Sequence, residues 1–374
     1  MLVAVVKESV EGEARVAMVP ELVPTLIGLG YDVGVEPGAG LLAQYTDDDY
    51  AEAGALVDAR TLEYADVVVS VQPLDSPRLR QLRSGAATIS FFLTLQSLPA
   101  VAERRDLDIT SFAMELIPRI SRAQSMDALS SQALVAGYRS AIVAAGRLRR
   151  FFPLNMTAAG TIPPAEIVVL GAGVAGLQAI ATCKRLGAVV KAYDVRAAAA
   201  EEIRSMGAIA IELELETLEG AGGYAREMTE DRAERQRQLL APYIAAADAL
   251  ITTAAVPGRP APKLVTKAMV EAMGPGSVVV DLAAESGGNV EGSVPGNVVQ
   301  VGHAQVWGAS NVPAQMPGPA SKLYAQNLLN LLTLMTGDDG FAPDFDDEVV
   351  AGCCVTHAGR VVHEPTREAL ENAQ

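Results

Sequence analysis

Short runs of β-branched residues alternate with amphipathic stretches rich in Ala and Leu along most of this chain of 374 residues. The first runs lie at 2–6, 33–36, 67–71 and 88–92, and a second series begins at Ile167. This alternation is typical of parallel sheets whose strands are joined by helices. The pattern predicts an α/β protein with two Rossmann-like parallel-sheet domains separated by a cleft.

Two features of the pattern predict where the domains meet. A long Ala-rich helix is predicted over about 127–150, and the Pro-rich segment at 311–320 interrupts the second series of strands. The tail beyond this break is too short to form a core of its own, so we expect it to pack on the first domain. The sequence therefore predicts a discontinuous domain at 1–128 with 311–374, and a second domain at 129–310.

Composition and charge exclude several classes of protein. The formal charge is −16, and no cluster of Lys and Arg offsets it, so a nucleic-acid partner is not predicted. Three cysteines and three histidines form neither a CxxC nor an HExxH motif, so no metal site is predicted. Cys353 and Cys354 lie in a run that we predict to be a strand, where adjacent side chains point apart.

The apolar runs of the chain favour a cytoplasmic protein. The N-terminal run meets a charge at Lys7, which is too early for a signal peptide. Other apolar runs are broken by charges or glycines before they reach the roughly 18 residues of a membrane span. The sequence therefore predicts no direct membrane span.

The segment EIVVLGAGVAGLQAIATCKRLGAVVKAYDVR predicts a dinucleotide-binding unit of strand, glycine turn, helix and second strand. Gly171 permits the tight turn, Gly173 lets the backbone approach a pyrophosphate, and Gly176 lets the helix lie close to the strand. The pyrophosphate is expected at the helix N-terminus, beside Val174 and Ala175, where unpaired N–H groups and the helix dipole favour an anion.

Asp194 at the end of the second strand favours NAD(H) as the cofactor. A carboxylate at this place accepts hydrogen bonds from the hydroxyls of the adenosine ribose and repels a 2′-phosphate. Arg196, which follows Val195, argues in the other direction because an arginine accommodates that phosphate. One arginine does not cancel the carboxylate at the strand end, so NAD is predicted over NADP.

Six segments carry a resemblance that covers nearly the whole chain. The chain resembles the NAD(H)-binding domain I (alpha) subunit of the proton-translocating NAD(P) transhydrogenases, a family related to the alanine dehydrogenases. The matching segments are KESVEGEARVAMVPE at 7–21, MELIPRISRAQSMDALSSQ at 114–132, the glycine segment at 157–190, AGGYAREM at 221–228, PGRPAP at 257–262 and VVDLAAESGGN at 279–289.

The resemblance implies a subunit of a larger enzyme. A homodimer of this chain would carry NAD(H), a beta subunit would bind NADP(H), and a membrane-spanning subunit would conduct protons. Hydride would pass directly between the two nicotinamides and be coupled to proton translocation. The chain would be peripheral on the cytoplasmic face of the inner or plasma membrane.

The resemblance also implies roles for individual residues. Arg119, Gln124 and Asp127 match the family's Arg-Gln-Asp loop, which folds over the nicotinamide end of NAD, and they are the predicted catalytic and cofactor-binding residues. Ser130 is expected at the carboxamide. The residues alone leave an alternative, because Ser125-Met126-Asp127 before an Ala-rich helix is also typical of ordinary N-capping.

Gly223 and Tyr224 match a loop that closes over bound NAD(H) in this family. A tyrosine beside glycines suits a lid that closes on a ligand. The alternative is a tyrosine that anchors a surface loop.

Two segments depart from the alanine dehydrogenase pattern. That family has a lysine and a histidine where this chain has VVSVQP at 68–73 and ISFFLTLQ at 89–96, and Glu285 stands in place of its catalytic Asp. Oxidative deamination needs a proton acceptor, whereas hydride transfer between two cofactors needs only positioning. The transhydrogenase subunit is therefore favoured over two alternatives, an alanine dehydrogenase-like amino-acid dehydrogenase and a non-catalytic NAD-binding module.

Overall fold

A computed structural model describes residues 1–215, 230–255, 260–338 and 340–373. The chain forms two compact units, one of Met1–Gln132 with Pro313–Gln374 and one of Ala133–Val312. We call them unit 1 and unit 2. Each is an α/β structure built on a mostly parallel sheet, which confirms the predicted fold class.

The strands in chain order are β1 Leu2–Val5, β2 Asp32–Val35, β3 Leu56–Val57, β4 Val67–Val69, β5 Ala87–Ser90, β6 Thr110–Ala113, β7 Asn155–Thr157, β8 Gly160–Ile162, β9 Glu166–Leu170, β10 Val189–Tyr193, β11 Ile209–Ala210, β12 Ala249–Thr252, β13 Val278–Asp281, β14 Val298–Val301, β15 Ala304–Gly308, β16 Thr336–Gly337, β17 Gly340–Phe341, β18 Cys354–His357 and β19 Arg360–Val361. The α-helices are α1 Val23–Gly28, α2 Asp47–Glu52, α3 Ser76–Leu79, α4 Leu98–Asp106, α5 Ala128–Arg147, α6 Val174–Arg185, α7 Ala199–Ser205, α8 Glu230–Ala245, α9 Lys267–Glu271, α10 Pro317–Leu334, α11 Glu348–Cys353 and α12 Glu364–Asn372.

Unit 1 is built on a sheet of order β19-β18-β6-β5-β4-β1-β2-β3. The strands from β6 to β3 are parallel, and β18 joins β6 in antiparallel orientation. The C-terminal tail therefore completes the first sheet, as the sequence predicts. Buried side chains of α10, among them Tyr324 and Leu328, pack with β1 residues Val3 and Val5 in one core cluster.

The predicted strand over 349–355 is wrong. Residues Glu348–Cys353 form α11, and only Cys354–His357 are extended. The reason is a helix cap, because the carboxylate of Asp347 accepts the backbone N–H groups of Val349 at 2.8 Å and Val350 at 3.4 Å. Both neighbouring cysteines are buried, and burial raises the pKa of the Cys354 thiol to about 12.

Unit 2 is built on a sheet of order β11-β10-β9-β12-β13-β15-β14, in which β14 is the antiparallel strand. Two separate core clusters cover its faces, so alternate residues of β9 such as Ile167 and Val168 are buried on opposite sides. Burial on both faces explains why the central strands are continuous apolar runs. This arrangement places the end of β9 and the start of α6 at the carboxyl edge of a parallel sheet.

Within the described ranges, none of the helices combines the length and apolar character that crossing a bilayer requires. In the same portion of the chain, no group of three or more His, Cys, Asp or Glu side chains is placed to hold a metal ion.

Candidate functional site

The glycine turn between β9 and α6 is packed too closely for larger residues at two of its positions. Gly171 has φ +98°, a left-handed conformation that favours glycine. A Cβ at Gly176 would lie 1.9 Å from the carbonyl oxygen of Gly171, and one at Gly171 would lie 2.6 Å from Thr253 Oγ1. The turn therefore depends on glycine for its shape, as the motif predicts.

The third glycine faces open space. Gly173 is the N-cap of α6 with φ −71° and ψ −169°, and a Cβ there would meet no heavy atom within 4 Å. Gly173 and Val174 are exposed, and Ala175 is half-buried. The first N–H groups of an α-helix have no carbonyl partner inside the helix, so this end of α6 can bind an anion such as a pyrophosphate.

A glycine that the motif does not contain helps to build this turn. A Cβ at Gly137 on α5 would lie 2.1 Å from the carbonyl oxygen of Ala175. The close approach of α5 to the first turn of α6 therefore requires glycine at this position. Sequence reasoning missed Gly137 because a lone glycine inside a helix gives no indication of the element it packs against.

Asp194 joins the end of β10 to the glycine turn. Its Oδ2 accepts the backbone N–H of Ala172 at 2.7 Å, and its Oδ1 accepts the backbone N–H of Arg196 at 2.9 Å. The intervening Val195 packs partly buried against a core cluster of unit 2. The predicted ribose-binding carboxylate thus lies directly beside the predicted pyrophosphate-binding turn.

Arg196 is paired with Asp194, which changes the electrostatics of this corner. The guanidinium donates from Nε to Oδ1 at 3.0 Å and from Nη2 to Oδ2 at 3.2 Å, and Nη2 also reaches the carbonyl oxygen of Ala172 at 3.2 Å. The hydrogen bond to Asp194 raises the pKa of Arg196. Ribose hydroxyls that donate to Asp194 therefore compete with its own arginine.

The predicted Arg-Gln-Asp loop lies in unit 1. Arg119 and Gln124 are exposed, and Gln124 stands on a short 3-10 helix over Ser121–Met126. The carboxylate of Asp127 accepts the backbone N–H of Ser130 at 2.9 Å and its hydroxyl at 2.6 Å. Asp127 and Ser130 therefore form the N-terminal cap of α5, which is the alternative that the residue pattern left open.

Side chains from two later elements of unit 1 hold this loop. Arg122 donates to both carboxylate oxygens of Asp347, at 2.8 and 3.1 Å. The carbonyl oxygen of Ser125 accepts the side-chain amides of Asn327 and Asn330, each at 2.8 Å. The sequence gives no indication of these contacts because their partners lie more than 200 positions away.

The predicted site residues fall into two groups. Arg119, Gln124, Asp127 and Ser130 belong to unit 1, whereas the glycine turn and residues 194–196 belong to unit 2. Gly223 and Tyr224 lie outside the described residues.

The carboxyl edge of the unit 1 sheet is closed by a carboxylate of the chain. In the strand order, β1 and β4 lie where the connections change direction, the usual ligand position of an α/β fold. Glu8 follows β1 and accepts the backbone N–H groups of Val71 at 2.6 Å and Gln72 at 3.1 Å. Burial raises the pKa of Glu8 to about 7.

The buried arginine at the same edge is bound to neighbouring side chains. Arg15 donates to both oxygens of Glu13, at 2.8 and 2.7 Å, and to Gln132 at 2.8 Å. Gln72, in the segment where the alanine dehydrogenase pattern has a lysine, donates to Glu13 at 2.9 Å. These hydrogen bonds hold the polar side chains of unit 1 to one another.

Glu285 in unit 2 is bonded to its own neighbourhood. It accepts the hydroxyl of Ser310 at 2.7 Å and the backbone N–H of Asn311 at 3.1 Å. The buried Asp281 similarly accepts Thr252 Oγ1 at 3.1 Å and backbone N–H groups of the loop that follows β13. These bonds give both carboxylates a role in holding loops.

Comparisons with known proteins agree along the whole length of the chain. Residues 4–136 match the N-terminal domain of the alanine dehydrogenase/PNT family, and residues 140–364 match its C-terminal domain. An NAD(P) transhydrogenase alpha subunit of Rhodospirillum rubrum is 47% identical over 97% of this chain and 98% of its own. The crystal structure of transhydrogenase from Sinorhizobium meliloti covers 98% of this chain and 100% of its own at 44% identity, with a TM-score of 0.86.

Alanine dehydrogenase of Mycolicibacterium smegmatis is 28% identical over 99% of this chain and 97% of its own. Its identity is lower than that of the transhydrogenase relatives, although the coverage is similar. Both halves of the chain thus match one family in the expected order. The chain belongs to the alanine dehydrogenase/PNT family.

Proposed function

We propose that this chain is the NAD(H)-binding subunit of a proton-translocating NAD(P) transhydrogenase. Hydride passes directly between NAD(H) on this chain and NADP(H) on a partner subunit. The observation that carries the proposal is the open glycine turn at α6 with Asp194 beside it, in a chain 47% identical to a transhydrogenase alpha subunit.

Unit 2 provides the proposed binding site for the adenosine half of NAD(H). The N–H groups at the start of α6, beside Gly173, Val174 and Ala175, bind the pyrophosphate. Asp194 accepts the ribose hydroxyls in place of the guanidinium of Arg196. The carboxylate favours NAD(H) over NADP(H), although its pairing with Arg196 weakens the repulsion of a 2′-phosphate.

The proposed catalytic contribution of unit 1 is positioning. Bound NAD(H) supplies a hydride, and its transfer to a second nicotinamide exchanges no proton with the protein. Gln124, with Arg119 nearby, holds the nicotinamide end, and its exposed amide can donate and accept hydrogen bonds. Asp127 and Ser130 serve the same end through the cap of α5, which fixes the end of the loop.

The partners belong to the proposal. The relative in Rhodospirillum rubrum is named a subunit, which supports a role inside a larger complex. We propose a homodimer of this chain, a beta subunit that binds NADP(H), and a membrane-spanning subunit, with this chain at the cytoplasmic face. Gly223 and Tyr224 are proposed to close over the bound cofactor.

The amino-acid dehydrogenase is the weaker candidate. Its chemistry needs a base that accepts a proton from the substrate. Glu285 is bonded to Ser310 and Asn311, and Arg15 is bonded to Glu13 and Gln132, so these groups already have partners within the chain.

Mixing experiments distinguish the candidates. The chain is assayed alone with alanine, glycine or pyruvate plus ammonia and NAD(H), and then together with an NADP(H)-binding transhydrogenase subunit. The proposal predicts hydride transfer to an NAD analogue of distinct absorbance only when the partner and NADP(H) are present. Turnover of alanine without the partner would establish the dehydrogenase, and NADH binding without either activity would establish a non-catalytic module.

A further inference from the structure

Two asparagine side chains of α10 meet at one carbonyl beside Gln124. We propose that Asn327 and Asn330 are positioning residues that fix the Gln124 loop for hydride transfer. This inference rests on the proposed function, since it assigns the two residues a role in the same reaction.

The two side chains share a face of α10 because residues three apart in a helix are neighbours. Each Nδ2 donates to the carbonyl oxygen of Ser125 at 2.8 Å. A carbonyl oxygen has two lone pairs, so the two amides occupy both of them. Gln326 donates to Asn330 Oδ1 at 3.1 Å, which orients the Asn330 amide with its Nδ2 toward the loop.

The loop is held on both sides of Gln124. Its neighbour Ala123 is 1% exposed and Met126 is 8% exposed, whereas Gln124 itself is exposed. Arg122 is fixed by its two hydrogen bonds to Asp347. Because Ser125 follows Gln124 directly, the two amides from α10 fix the backbone immediately after the residue proposed to hold the nicotinamide.

Asn327 has the features of a residue kept for placement rather than stability. It is 7% exposed, and within the described portion of the chain its buried Oδ1 has no hydrogen-bond partner. A buried acceptor without a partner destabilises a fold, so an apolar residue of similar size is expected to be tolerated there. The function of the amide is therefore sought in its contact with Ser125.

The test uses Asn327→Leu, Asn330→Leu and their combination in the full chain, with the NADP(H)-binding partner present. Release of the loop displaces Gln124 by a fraction of an ångström to about 1 Å, so we expect the single-turnover rate of hydride transfer to fall about 10- to 100-fold. NADH affinity should stay within roughly twofold, because the pyrophosphate and ribose contacts lie elsewhere.

A control and a rescue variant accompany these substitutions. Thr333→Val lies on the same helix and removes a hydroxyl that donates at 2.7 Å to Leu329 within α10, so the rate should not change. Asn330→Gln keeps the amide donor on a longer stem and should recover some of the rate. Equal loss in Thr333→Val would attribute the effect to the helix and overturn the proposal.

Amide hydrogen exchange over residues 121–127 gives a readout that needs no partner. Exchange should be faster in the Asn327→Leu and Asn330→Leu variants than in the wild-type chain. Unchanged exchange, an unchanged transfer rate, or a rate loss that follows the loss of thermal stability would each overturn the inference. Absence of hydride transfer by the wild-type chain would instead refute the proposed function, and with it the catalytic purpose of the anchoring.

Discussion

Replacing Gly173 by Ala separates cofactor binding from folding within one turn. A Cβ at this position meets no heavy atom within 4 Å, and its φ of −71° is open to any residue. The fold should therefore tolerate the change and gain about 0.4–1 kcal/mol from the lower entropy of the unfolded chain. The added methyl group stands at the N-terminus of α6, where the pyrophosphate is proposed to bind.

The expected loss of affinity follows from the contacts that the methyl group blocks. A hydrogen bond to a charged group contributes about 1.5–3 kcal/mol, and about 1.4 kcal/mol corresponds to a factor of ten in Kd. Loss of one such bond between α6 and the pyrophosphate should weaken NADH binding roughly ten- to hundredfold.

Gly176→Ala is the matched comparison. Its Cβ would lie 1.9 Å from the carbonyl oxygen of Gly171, so the turn must shift, and the variant should lose both thermal stability and NADH affinity. NADH fluorescence titration and thermal unfolding measure the two effects for both variants. Normal NADH affinity in Gly173→Ala would refute the placement of the pyrophosphate at this turn.

Three further predictions concern single side chains. Gln124→Asn shortens the amide by about 1 Å and should slow hydride transfer about 100-fold while NADH binding is nearly unchanged, so near-normal transfer would exclude this role. Asp194→Ala should weaken NADH binding about ten- to hundredfold, and Arg196→Met should raise the Kd of NADPH relative to that of NADH, since the carboxylate then faces the 2′-phosphate without its arginine; isothermal titration measures both. Burial raises the pKa of Glu8 from 4.5 to about 7, so the folded chain holds a proton that the unfolded chain loses, and the free energy of unfolding should fall as the pH rises through this range; Glu8→Gln should flatten that slope in denaturant titrations.

Local patterns predicted the proposed cofactor-binding corner of unit 2. The strand, the spaced glycines and the acid that ends the next strand are close in sequence, and each has a direct geometric requirement. The pairing of Asp194 with Arg196 also lies within this short range, but the residues alone do not show whether the arginine turns toward the carboxylate or toward solvent.

The surroundings of Gln124 depend on contacts between distant segments of the chain. Asn327 and Asn330 lie on a helix whose apolar pattern predicts only burial, and the partner carbonyl is more than 200 positions away. In the tail, the β-branched pair Val349 and Val350 favoured a strand, but the cap by Asp347 starts a helix there. One polar contact at a helix end outweighed local strand propensity.

Transfer of deuterium tests direct hydride exchange between two cofactors. The chain is mixed with NADH that carries deuterium at both C4 positions, with NADP⁺ and with the NADP(H)-binding partner in ordinary water, and the NADPH formed is analysed by mass spectrometry. The account predicts NADPH that carries one deuterium at C4, with none formed when the partner is omitted. NADPH that carries solvent hydrogen at this position, or no NADPH despite normal NADH binding, would contradict it.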